Sequence, residues 1–588
     1  MHRIVQVLQL TLTLLSLYGY LRFCMRAFRM RVELALPVVF AGIGLLTFIS
    51  GLLGLLLPGA LLLLAVGLVL AVRSFIKREA LGQLISPGSV AFGLMALFSA
   101  YIVLGQVFFN VDDFSHWATV VKEMLYDNSF PTAEDALVYF PHYPLASSSL
   151  VYWFCTAAGI RSEWFQMLAQ ALLISACLAS LFALAPRGKG IKSALSYAAL
   201  GIFALSVFCS NIELISLYVD DLLAVLGLAA IAVWAAGRQE KRTLWPLMMI
   251  CVFLSMVKQS GIFFALIPVA ILLADRHSPA GGWKPALLVL LGLAAVELAW
   301  SLHVDAAFPS AAEGASSAVF PGLAGKSRED VLTIISSMTA TVLHPAKLLP
   351  LLAAAGLAMY MARYCGHRNT LISLAVSAAA VWLLYCAGQA AMYILFMERG
   401  EAVRLAAFER YFATIQCFSF GSLLLLVYEL GCCRQGLGRG AAALGLGVVL
   451  AVSALAPSPA ALLRMEQRVP AIKDPEAALP DAAKLEEDMP YFWAALRARY
   501  DSLIDRYDIP GGLTYTIYMK NDHGIEARLL SNYLLSSRGT FVCTDEQLEE
   551  KGGMGKTLEY YIVLEPSEAN MSFIRDTFSS EFEAGYSS

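Results

Sequence analysis

Charged residues divide this chain into apolar runs of roughly 15 to 28 residues, and that spacing limits the folds open to it more than any other feature. A helix of about 20 apolar residues crosses a bilayer core of about 30 Å, with tilt taking up the excess of a longer one. The runs fall near 4–21, 34–53, 55–72, 90–109, 163–185, 191–209, 219–236, 243–257, 260–274, 284–303, 346–363, 370–397, 408–430 and 440–456, about fourteen spans. Only 15% of the 588 residues are charged, where a soluble chain carries about a quarter. The expected fold class is therefore an α-helical polytopic membrane protein, and the net charge of −3 argues against a nucleic-acid partner. The eleven cysteines mostly lie in or beside apolar runs without ligand-like spacing, as packing residues do.

Basic residues collect in seven loops: Arg22–Arg31, Arg73–Arg78, Arg187–Lys192, Arg238–Arg242, Arg276–Lys284, Arg363–Arg368 and Arg434–Arg439. All seven share the cytoplasmic side, as positive-inside bias requires, only if the run Leu145 to Ile160 is interfacial or re-entrant. The loops 110–162 and 304–345 then face outward in a multi-pass protein of the cell membrane. So does the C-terminal tail. That tail follows a linker at 457–489, and TYTIYMK (514–520), a helical run at 525–537, TFVCT (540–544) and LEYYIVLE (558–565) predict a small α/β domain over 490–588.

Polar residues at the ends of apolar spans are functional candidates. Asp112 and Asp113 follow the run Val90 to Phe109. After them Phe114, Trp117, Val120, Val121, Met124 and Leu125 predict an amphipathic helix, which would lie apolar face down on the membrane surface. A helix starting at Phe114 makes Asp113 its N-cap and leaves Asp112 freer to act as a base. A second pair, Asp220 and Asp221, opens the span 219–236; helix capping and a role in chemistry both remain open for it. Lys258, between two short spans, and Arg410, opening the span 408–430, suit an anionic phosphate, or else are interfacial anchors. His142, between Pro141 and Pro144, is a candidate metal ligand together with His116 and the aspartates. A divalent metal ion is the one cofactor these residues point to, although their spacing matches no compact metal motif.

The outward Asp pair, the helix ending in KEML, the Pro-flanked aromatic stretch, and then VDDLL (219–223), VKQSG (257–261) and ERY (409–411) resemble the GT-C superfamily of membrane glycosyltransferases. The relevant members are the protein O-mannosyltransferase and aminoarabinose transferase group. The resemblance covers about residues 90–430 and would make 90–456 the catalytic core, with 1–89 as three extra N-terminal helices. It implies a polyprenyl-phosphate sugar as donor and a glycan, lipid or protein as acceptor. Asp112 or Asp113 matches the position of the base, and Asp220 that of a second acidic residue. Lys258 and Arg410 would steady the leaving phosphate. Where the family often carries an acidic or basic pair before its Pro-Pro, this chain has His142 and Tyr143 before Pro144 and Leu145. The rival class is a transporter or flippase, whose charges belong near the bilayer midplane; a sensor built on the C-terminal domain would need fewer helices.

Overall fold

The computed structural model describes residues 2–133, 138, 140–185, 191–210, 213–309, 322, 325–364, 368–430, 489–509, 511–519, 524–536, 539–545, 560–564 and 567–578. The expected span 440–456, the linker and the basic loop Arg434–Arg439 lie outside these residues, as does most of the small-residue stretch in the loop 304–345. The described residues form two compact units. The first draws on Met1–Gly105, Asp127–Phe130 and His142–Gln467, and the second on Gln106–Tyr126, Pro131–Pro141 and Arg468–Ser588.

The helices, in chain order, are α1 (His2–Ala27), α2 (Val32–Leu52), α3 (Leu56–Ile76), α4 (Pro87–Val103), α5 (Ala118–Asp127), α6 (Ala146–Ala158), α7 (Glu163–Ser180), α8 (Ile191–Ser210), α9 (Asp220–Gly237) and α10 (Leu244–Ser255). They continue as α11 (Gly261–Ala274), α12 (Trp283–Ala307), α13 (Arg328–Val342), α14 (Pro345–Tyr364), α15 (Arg368–Leu395), α16 (Arg399–Val403) and α17 (Phe408–Leu430). The last three are α18 (Met489–Tyr507), α19 (Gly524–Leu535) and α20 (Glu568–Phe578). Among the described residues six helices are long and apolar enough to cross a membrane, or seven if the bent pair α13–α14 counts as one span. The expected runs 243–257 and 260–274 become α10 and α11, of 12 and 14 residues. At 1.5 Å per residue these reach roughly 18–21 Å, less than a bilayer core. The run Leu145 to Ile160 forms α6, whose 13 residues are also short for a span.

In the first unit α2 is the hub. It packs on α1, α3, α6, α7 and α10, and nearly all of its length is buried. The N-terminal helices are thus integral to this unit rather than an addition to its outside. α1 and α3 approach so closely that a Cβ on Gly19 would lie 2.0 Å from the Gly67 carbonyl oxygen. Small residues allow such backbone contact where lipid supplies no hydrophobic drive for helix association.

Most of the basic loops meet at one end of this unit. Arg22 and Arg26 both pair with Glu79, Arg29 lies 3.8 Å from Glu240, and Arg242 donates to the Ala27 carbonyl. Arg31 donates to the Ala183 carbonyl, and the Ala280 N–H to the Arg238 carbonyl. The last bond makes α10 and α11 a hairpin whose turn, with Lys258, stands at the opposite end. α9 likewise starts there at Asp220 and runs 18 residues, roughly 27 Å, to the basic end.

The second unit holds a three-stranded parallel sheet with β1 (Thr514–Met519) between β2 (Gly539–Thr544) and β3 (Tyr560–Val563), in the order β2-β1-β3. Thr514 is in register with Gly539, and Tyr515 with Tyr560. Tyr518, Cys543 and Ile574 form its buried core with Val563 and Phe573. This is the α/β arrangement that the alternating segments predict. Unexpectedly, the stretch after α4 folds with it rather than with the core 90–456. Phe114 packs on Tyr533 of α19 with ring centroids 5.3 Å apart, and Arg497 of α18 donates to the Phe108 carbonyl.

Candidate functional site

A second cluster of charge in the first unit lies at the end away from the basic loops. Three segments, distant in sequence, bring it together. The α10–α11 turn is sharp, because a Cβ on Gly261 would sit 2.1 Å from the Leu254 carbonyl oxygen. Only glycine allows that approach, which fixes the preceding Lys258. The start of α6 docks on the same turn through a bond from the Ala146 N–H to the Met256 carbonyl. α9 and α17 pack along each other and start together, so Asp220 and Arg410 meet at their N-terminal ends.

There the Asp220 carboxylate bridges two cations. Its Oδ1 accepts from Lys258 Nζ at 2.6 Å, and its Oδ2 lies 2.9 Å from Arg410 Nε. The N-cap of α9 is Val219, so Asp220 serves as an ion-pair centre rather than as the helix cap. Asp221 beside it is also buried. Aromatic rings wall the cluster. Lys258 Nζ stands 4.7 Å from the Tyr411 ring and 6.0 Å from the Tyr143 ring, and the Arg410 guanidinium stacks 4.1 Å over Tyr218. Such cation–π contacts gain strength as water is excluded. Tyr218 is held by Gln170, which donates to its carbonyl at 2.8 Å. Burial disfavours the Lys258 ammonium, but the Asp220 carboxylate, with Tyr411 and Tyr143 behind it, outweighs burial and holds its pKa well above the ordinary lysine value.

Lys258 and Arg410 bring two positive charges and Asp220 one negative, so the triad carries net +1. Guanidinium and ammonium donors at such a site fit a phosphate or carboxylate. Sequence spacing put Asp220, Lys258 and Arg410 at one end of the spans; their direct pairing is a tertiary result. The tyrosines were missed as a set. Their signal was local, since Tyr218 stands two residues before Asp220 in LYVDD and Tyr411 directly after Arg410 in ERY, with Tyr143 in HYP.

The other site residues lie in the second unit, apart from His142. Asp113 is not the helix cap. The helical backbone already begins at Val111, so Asp113 opens a single π-type turn (Asp113–Trp117) ahead of α5, and its side chain is wholly buried. Turns of this kind often mark functional positions. Asp112, one residue earlier, is partly exposed. The apolar face of the following helix is buried inside this unit instead of lying bare for a membrane surface: Phe114, Trp117, Val120, Val121, Met124 and Leu125 are all buried. Lys122 caps α19 by donating to the Tyr533 and Leu534 carbonyls.

His116 is buried against Trp117 and Phe140, with ring centroids 4.7 and 6.1 Å away. His142 belongs to the first unit, where its carbonyl accepts from Trp300 Nε1. Among the described residues no three His, Cys, Asp or Glu side chains gather to hold a metal ion. Cys24, Cys155, Cys177, Cys251 and Cys417 are buried free thiols.

Compared with known proteins, the chain matches no family model, no curated protein and no solved structure.

Proposed function

We propose that the protein is an integral membrane glycosyltransferase. It moves a sugar from a polyprenyl-phosphate donor to a glycan, lipid or protein acceptor on the outer face of the membrane, in assembly of the cell envelope. One observation carries the reading: the Lys258–Asp220–Arg410 triad, with Lys258 and Asp220 buried and Arg410 partly exposed, net cationic and ringed by tyrosines, at the end of the first unit opposite its basic loops. A lipid phosphate approaching within the bilayer meets two donors there, held in place before it arrives. Their charge favours departure of the phosphate as the glycosidic bond breaks.

The base implied by the resemblance is Asp112 or Asp113. Full burial of Asp113 favours Asp112 for the role, because a base must reach the acceptor hydroxyl whose proton it takes. In this scheme the acceptor oxygen forms the new bond to the anomeric carbon, the old C–O bond breaks, and the lipid phosphate leaves with the electron pair. The acceptor proton goes to the aspartate. A transporter or flippase would instead hold its charges midway along the helices, whereas Asp220, Lys258 and Arg410 all stand at helix ends.

Purified protein incubated with a membrane lipid extract and a labelled polyprenyl-phosphate sugar tests the reading. Wild type consumes the donor and releases the lipid phosphate, and Lys258→Met does so far more slowly. Donor left intact by wild type, with every acceptor fraction of the extract present, overturns the proposal.

A further inference from the structure

Beside the triad runs a helix face that the reaction above leaves unused. On α15, Trp382, Tyr385, Gln389 and Tyr393 recur at steps of three, four and four, which puts them on one side of the helix. That side turns toward the start of α17. Tyr385 Oη donates to the Tyr411 carbonyl at 3.2 Å, Tyr393 Oη donates to the Ala406 carbonyl, and the Trp382 ring lies 6.1 Å from Phe412. Tyr385 also packs on Phe264 of α11, just beyond Lys258, with centroids 5.6 Å apart. Both tyrosines lie within electrostatic reach of Asp220.

Gln389 is placed between the two tyrosines, since each step of four residues turns the helix by only about 40°. It is 8% exposed, and its amide oxygen is buried without a donor from any described residue. Trp382 Nε1 is buried with no acceptor among them either. Its neighbours on this face, Tyr385 and Tyr393, are by contrast both bonded to backbone carbonyls. Buried polar groups normally find partners, and an exception calls for a specific reason. Here an unmet acceptor and an unmet donor share the face that flanks the anion cluster. The Gln389 amide oxygen only accepts, so it is not suited to a phosphate that offers no donor. What matches both is a hydroxyl-rich neutral group, because each hydroxyl donates one bond and accepts others.

We propose that Gln389, aided by Trp382, binds hydroxyl groups of the sugar carried by the lipid phosphate, and so sets preference for a glycosylated over a bare phosphate. The inference rests on the triad's role as the anion site, and the test separates the two. Wild type, Gln389→Leu and Gln389→Met in lipid nanodiscs are titrated with farnesyl phosphate and with its glucosyl, mannosyl, galactosyl and arabinosyl esters, read by tryptophan fluorescence. Leucine and methionine keep the bulk and helix propensity of glutamine. Wild type should bind at least one ester more tightly than the bare phosphate. Both variants should lose about fivefold to tenfold in affinity for that ester, with binding of bare farnesyl phosphate unchanged. That unchanged binding also shows the variants to be folded. Wild type that prefers none of the esters, or variants that bind them as wild type does, overturns the inference and leaves a buried water as the partner of Gln389. The anion site fails separately, if wild type does not bind bare farnesyl phosphate or if Lys258→Met binds it equally well.

Discussion

Replacing Asp220 by asparagine should weaken the fold and strengthen anion binding at once. The two oxygens of this carboxylate lie 2.6 Å from Lys258 Nζ and 2.9 Å from Arg410 Nε. With the carboxylate neutralised, two cations roughly 6 Å apart remain, and at an effective dielectric near 20 they repel by about 3 kcal/mol. Removing one partner from a buried ion cluster typically costs about 3–5 kcal/mol, and this estimate falls in that range. The triad's net charge rises from +1 to +2 in the variant, so an anion gains what the fold has lost. Affinity for decyl phosphate should therefore increase roughly tenfold or more, since about 1.4 kcal/mol suffices for each factor of ten. Thermal unfolding in nanodiscs, followed by tryptophan fluorescence over a decyl phosphate titration, reads both effects. Asp220→Asn should melt well below wild type without ligand and recover most of the difference as the ligand saturates. A variant that melts with wild type and binds decyl phosphate no better would refute the ion-pair argument.

Four further outcomes are expected. Lys258→Met and Arg410→Met should each weaken use of a polyprenyl-phosphate donor in steady-state assays while the protein still inserts and folds; unchanged donor kinetics in both would make them anchors only. Asp112→Asn should lower transfer by a factor of about 10² to 10⁴, as loss of a general base does, and full activity in purified protein would exclude Asp112 as that base. The Lys258 pKa is raised by its carboxylate partner, so its contribution to stability is complete below the ordinary lysine value of about 10.4 and is lost as pH rises beyond it. Melting temperature should fall above that pH more steeply in wild type than in Lys258→Met, and parallel curves would contradict the pairing. Gly261→Ala should destabilise by about 1–3 kcal/mol, because its Cβ would press on the Leu254 carbonyl 2.1 Å away; an alanine variant as stable as wild type would show that the turn can open.

The amino-acid sequence by itself determined the helical, membrane-compatible character of the chain, because runs of apolar residues punctuated by charge leave a nonpolar phase few other architectures. It also determined the C-terminal strands and helices to within a few residues, as at Thr514–Met519 and Gly524–Leu535, since alternation and helical periodicity are local signals. Among the described residues the basic loops near Arg22–Arg31, Arg73–Arg78, Arg238–Arg242 and Arg276–Lys284 meet at one end, a grouping that counting Lys and Arg anticipated. Helix starts were less legible. Asp113 looked like a cap because capping residues have a composition signature, but the backbone turns helical two residues earlier and Asp113 is drawn into a π-type turn. Only tertiary structure decided which long-range partners each residue meets. The apolar stripe of α5 could be covered by lipid or by protein, and pattern alone does not distinguish these; α19 and its Tyr533 ring supply protein. Asp220, Lys258 and Arg410 were readable one at a time as costly charges at helix ends. Their union around one carboxylate, and the place of Gln389 beside them, depend on how α9, α11, α15 and α17 pack, a contact between segments up to 190 residues apart that no local spacing encodes.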